Sequence, residues 1–157
     1  MVTFEDVKNN PEVQELIVGA QKQLDALGYT EHAHRHVSIV SNRAGKILET
    51  LGYDEHRIEL AKIAGYLHDI GNGVNRVDHA HSGAILAYTI LKDMGMDIKD
   101  RMEIMSAIGN HDEATGTAVS DISAALILAD KSDVHRDRVV NKNLTRFEIH
   151  DRVNYAV

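Results

Sequence analysis

No cysteine occurs among the 157 residues, which excludes disulfides and thiolate metal sites alike. Any metal must then sit on His, Asp, Glu and water, donors that suit iron, manganese, zinc, nickel, cobalt or magnesium. Only one proline is present, and strong β-branched alternation is missing, so the chain reads as all-helical. No apolar run approaches the roughly 18 residues of a membrane span. The amino end lacks a signal-peptide pattern, which makes the cytoplasm the expected compartment. Excess positive charge is lacking too: the formal net charge of −7 argues against a general nucleic-acid or membrane-surface binder. An anionic small molecule stays open as a partner, because a bound metal supplies positive charge locally. No repeat, linker or low-complexity segment interrupts the chain, so residues 1–157 are expected to form one domain with its own core. Surface composition leaves a homo-oligomer as an open alternative.

What the chain has in abundance is histidine, ten in all and unevenly spread. His32, His34 and His36 cluster, as do His68, His79 and His81, with His111 and His135 further on. Helical periodicity and end signals divide the chain into about six to seven helices. Asn10 and Pro11 suit the cap and first position of a scaffold helix stopped by Gly28. A second helix is expected over about 30–51, closed by Gly52. His36 leads into Val40 and Ala44 at helical spacing and so points inward, whereas His34 lies on another face. A third helix, about 55–70, is capped by Asp54. Asp78 is expected to cap a fourth, closed by Gly95, with His79 and His81 both in its first turn. A neutral, metal-bound histidine is compatible with that position, whereas a protonated one is disfavoured. A fifth runs from about Ile98 towards His111, with Met102 and Met105 as core filler. A sixth begins at Ser120 or Asp121 and is nearly all apolar up to Asp130, which needs a partner; Lys131, Asp133, His135 and Arg136 follow as a polar cluster. Thr145 to Glu148 fits a capping box for a last helix. It reaches Val157 without a stop signal, so the chain is expected either to be truncated there or to pack its end on a partner.

The third helix organises the reading. Leu60, Ile63, Ala64 and Leu67 recur at helical spacing, and at the end of this buried face stand His68 and Asp69, followed by Gly71. Burying an imidazole and a carboxylate is tolerated when they are paired or bind a metal. A single pair of this kind reads as a core histidine held by its neighbour. His36, His68, Asp69 and Asp130, however, each close an otherwise apolar helical face, and three helices supply them, as in bundle metal sites.

The set HVSIVSNRA at His36, YLHDIGN at His68-Asp69 and LILADKSD at Asp130 resembles the signature of the HD-domain metal-dependent phosphohydrolases over roughly residues 30–138. The resemblance implies a single-domain, all-α helical bundle. It also implies a divalent metal centre, of one ion on His36, His68, Asp69 and Asp130 or, with two further histidines, of two ions, iron first among the candidates. Asp69 would bridge the ions, with His36, His68 and Asp130 on one and His79 and His111 on the other; His81 competes for the place of His79. Two departures stand out: Asn72 replaces the lysine of the HDIGK continuation, and Asn110 stands where some relatives carry a further histidine.

The activity so implied is hydrolysis of a phosphoester of a small molecule or nucleotide. Asp69 lies at the centre, and Lys131, Arg76 or Arg136 neutralises phosphate charge. The alternatives are a two-iron oxygenase of the inositol or phosphonate oxygenase type and an inactive ligand-binding module. A complete ligand set argues against the last.

Overall fold

The computed structural model describes residues 1–29, 33–135 and 149–156. Among these the regular elements are all helical: α1 (Phe4–Lys8), α2 (Pro11–Ala26), α3 (Ala33–Thr50), α4 (Glu55–Leu67), a 3-10 turn (Ile70–Gly73), α5 (His79–Asp93), α6 (Ile98–Gly109), α7 (Asp121–Lys131) and α8 (Ile149–Tyr155). Eight α-helices thus replace the expected six to seven. The extra one is α1, opened by a reciprocal capping box between Thr3 and Asp6. The capping box expected at Thr145 to Glu148 lies outside the described residues. No helix among the described residues is long and apolar enough to cross a membrane.

Local chemistry explains most boundaries. Asn10 accepts from the backbone N–H groups of Glu12 and Val13 with Pro11 in the first turn, Asp54 accepts from Arg57, and Ser120 accepts from Ser123. Gly28, Gly52 and Gly95 follow α2, α3 and α5 with φ of 85°, 82° and 84°, the left-handed values that close a helix. Asp78 departs from expectation. It adopts φ 58° and makes no side-chain cap bond, because the chain enters α5 from the 3-10 turn in a left-handed step that aims its carboxylate away. Asp78 Oδ1 lies instead 3.6 Å from Nδ1 of His81.

Helix α4 is central: it packs against α3, α6, α7 and α1. Its buried residues Ile58, Leu60, Ala61, Ile63, Ala64, Tyr66 and Leu67 go round the helix rather than along one stripe. Each large side chain so buried contributes about 1.5–3 kcal/mol. The close α3–α4 approach depends on Gly65, where a Cβ would come within 2.7 Å of Ser41 Cα. In α6, Met102 is 44% exposed and therefore not the expected core filler, while Met105 packs partly buried against the core. Helix α4 also ends earlier than expected, at Leu67, so His68 becomes its cap residue and Asp69 starts the 3-10 turn.

Candidate metal centre

Helix ends converge on one point. His36 projects from the second turn of α3, His68 and Asp69 from the end of α4, His79 from the first residue of α5, His111 from just beyond α6, and Asp130 from the last turn of α7. His36, His68, His79, His111 and Asp130 are buried, and Asp69 is nearly so. His34 and His81 are exposed and outside the cluster. His32 and Arg136 lie outside the described residues.

The last turn of a helix leaves carbonyl groups without helical partners, and the site uses them. His68 Nδ1 donates to Gly65 O at 2.8 Å and His111 Nδ1 to Ile108 O at 2.6 Å. His79 Nδ1 donates to Arg76 O at 3.0 Å. In each case the acceptor lies three residues earlier. His36 instead gives its Nδ1 proton to a carboxylate, Asp133 Oδ2 at 2.7 Å. With every Nδ1 proton directed outward, every Nε2 faces the middle, the tautomer and ring setting that metal-binding histidines require.

In the middle stands Asp69. Its Oδ2 lies 3.5 Å from His36 Nε2 and 3.4 Å from His68 Nε2. Its Oδ1 lies 3.5 Å from His79 Nε2 and 3.8 Å from His111 Nε2. One carboxylate oxygen thus serves each pair of imidazoles. Asp130 Oδ1 closes the first pair, 3.1 Å from His36 Nε2 and 3.5 Å from His68 Nε2. His36 and His68 bring their Nε2 atoms to 3.2 Å of each other. Nitrogens and carboxylate oxygens packed this closely need positive charge among them, whether protons on the rings or a cation. Two triads, His36–His68–Asp130 and His68–Asp69–His111, each offer ligand atoms within 4.8 Å of one another. His79 joins neither triad and meets the centre through Asp69 Oδ1. The donor set fits divalent ions of the His/Asp-binding kind.

Charge in the cluster follows from its neighbours. Burial opposes ionisation of Asp69 most strongly, yet His68, His111 and His36 hold its carboxyl well below the usual range. Burial likewise opposes the charge on Asp130, and hydrogen bonds from His36 and His68 overcome it. His79 is pushed down, chiefly by burial and then by the charges of Arg76 and His111, against the pull of Asp69. A neutral His79 suits the start of α5. Burial also works to lower His111, but Asp69 and Asp130 outweigh it and raise the group.

The two cations singled out in the sequence sit differently. Lys131 Nζ reaches Asp130 Oδ2 at 3.0 Å and Glu113 Oε2 at 2.6 Å, so it stands at the edge of the centre. Arg76 is exposed, donates to Asn72 Oδ1 at 3.1 Å and lies 5.9 Å over the Tyr29 ring. Asn72, in the place of the expected lysine, is buried and ties Arg76 to the backbone O of Asp69. Sequence reasoning missed the part played by Asp133, read only as one of a polar cluster. It lies past the end of α7, where helical spacing gave no signal for it.

The HD domain family model matches residues 34–141. An uncharacterised protein of Methanocaldococcus jannaschii is 32% identical over 134 residues, an alignment taking in 71% of this chain and 51% of the relative. The chain thus spans about half the length of that curated relative. A crystal structure described as a predicted HD superfamily hydrolase from an uncultured Thermotogales bacterium has a TM-score of 0.56 and 29% identity, covering 79% of this chain and 69% of that one.

Proposed function

We propose that this chain, which belongs to the HD domain family, is a metal-dependent hydrolase that cleaves a phosphoester of a small molecule or nucleotide. The observation that carries the proposal is the carboxylate of Asp69 set between two pairs of inward-facing imidazole nitrogens. His36, His68, Asp130 and Asp69 on one side, and His79, His111 and Asp69 on the other, would hold divalent ions, which would supply a lowered pKa for bound water and positive charge against phosphoryl oxygens. The chain's own residues prepare this. The outward hydrogen bonds of the four imidazoles fix their Nε2 atoms, and burial makes each electrostatic contact stronger than in water. Asp69 and Asp130 stay ionised and so remain available as ligands. Lys131 brings an ammonium group to the rim beside Asp130, where it can meet phosphate oxygens that no metal covers. Arg76, on the turn leading into α5, adds a second cation on the His79 side.

Metal content per chain and phosphate release from a panel of phosphomonoesters and nucleotides test the proposal, on protein purified without a metal-affinity tag or chelator. Two equivalents and metal-dependent turnover are expected, and Asp69→Ala is expected to abolish turnover. A folded Asp69→Ala chain that hydrolyses at the normal rate defeats it. An all-His/Asp shell also suits iron, which favours a two-iron oxygenase as the second reading. Oxygen uptake without phosphate release selects that one.

A further inference from the structure

The four imidazoles are not held alike. Three rest their Nδ1 protons on neutral backbone oxygens: Gly65 for His68, Arg76 for His79 and Ile108 for His111. His36 rests on the carboxylate of Asp133, a residue only 2% exposed. A second carboxylate, that of Asp112, lies 3.9 Å from His79 Nδ1, beyond hydrogen-bond distance. Arg35 Nη1 approaches the same Oδ2 of Asp133 at 3.7 Å from the exposed side.

A carboxylate accepting Nδ1–H makes a charge-assisted bond, stronger than one to a peptide oxygen. It draws the Nδ1 proton outward, makes Nε2 a better electron donor and stops the ring turning. The His36 side also offers four ligand residues, His36, His68, Asp130 and Asp69, three of which form one close triad, while the other close triad, His68–Asp69–His111, leaves out His79. The His79 side offers three, His79, His111 and Asp69.

We infer that Asp133 is a positioning residue for His36, and that it makes the two metal positions unequal. The His36–His68–Asp130 position binds first and tightly; the His79–His111 position fills second and exchanges readily. This rests on the metal-centre reading above and extends it to the order of filling and the residue that sets it.

The test uses Co2+ alone, titrated into the chelator-stripped full chain and followed by calorimetry and visible absorption. The wild-type chain should bind in two separated steps. Asp133→Asn should weaken the first step by about 10- to 100-fold and alter the absorption of the first equivalent, leaving the second step in place. Asp133→Glu should restore part of the loss, which a merely space-filling role for Asp133 does not explain. An unchanged first step in Asp133→Asn overturns the inference, as does equal weakening of both steps. Should Asp133→Asn fail to fold, His111→Ala in the native background decides the order: retention of the tight step supports the inference, and its loss overturns it. A wild-type chain that binds no Co2+ overturns the metal-centre reading itself, a result distinct from normal two-step binding that Asp133→Asn leaves untouched.

Discussion

The two sides of the cluster are built from different materials. His36, His68 and Asp130 hang on α3, α4 and α7, three helices packed on one another through the core. His79 opens α5 after a left-handed step at Asp78, and His111 follows the end of α6, a second pair of packed helices. The first side is held by helix packing, in which a shift of one ring disturbs many apolar neighbours. The second stands on the packed α5–α6 pair, and the 3-10 turn adds a close backbone contact with α5 at Gly71 and Gly83. A centre assembled this way has its two sides on different groups of packed helices, and the two should fail separately.

The largest effect expected from separating them comes from two glycines. A methyl group at Gly71 would collide with the backbone O of His79 and stand 2.6 Å from Gly83 N, directly behind the second side. A methyl group at Gly65 would meet Ser41 Cα at 2.7 Å, between α3 and α4 behind the first. Each substitution to alanine should cost about 1–3 kcal/mol, read from thermal melts. Gly71→Ala should lose the second metal equivalent and keep the first, and Gly65→Ala should weaken the first. Identical metal titrations for the two variants would erase the distinction between the sides.

A smaller effect concerns the far end of the helices behind the first side. Arg57 of α4 pairs with Asp121 of α7 and with Glu103 of α6, the latter at 3.3 Å. Burial opposes the charge of Asp121, but the hydrogen bond from Arg57 holds its carboxyl below the usual value of 3.8. Its folded pKa is depressed, so the pair contributes stability above about pH 4 and loses it as pH falls through the folded value. For a partly exposed pair this is about 1 kcal/mol or less. Denaturant titrations from pH 5 to pH 2 should show a shallower acid loss in Asp121→Asn than in the native chain; equal slopes would remove the pair from the account. The smallest effect expected is none: His81→Ala should leave metal content and melting unchanged, because His81 is 54% exposed and points at Asp78. Loss of the second equivalent in that variant would transfer the role of His79 to His81.

Much of this was legible in the chain. Helical register placed His36 inward with Val40 and Ala44, and the apolar runs ahead of His68 and Asp130 marked two more buried helix ends. The all-helical class followed from scarce proline and absent alternation, and the family resemblance agrees with the matched region. What stayed hidden depended on pairings between distant segments. Asp133 lies past the end of α7, where periodicity no longer assigns a face, and its partner is 97 residues away. Asp78 has the right residue type for a cap, yet the path of the chain from the turn into α5 overrides that preference. Helix α1 escaped because only five residues form it, too few for a period to show.

Three imidazoles rest on peptide oxygens, at Gly65, Arg76 and Ile108. Every amino acid brings that same oxygen, so a changed codon at those positions leaves the acceptor in place, whatever it does to packing. Inherited variation therefore has no direct hold on the electronic character of His68, His79 or His111 through these partners. His36 is otherwise: its partner is a side chain, and one nucleotide change at codon 133 converts a charged acceptor into a neutral one. Among these four acceptors, the one whose charge a substitution can change belongs to His36.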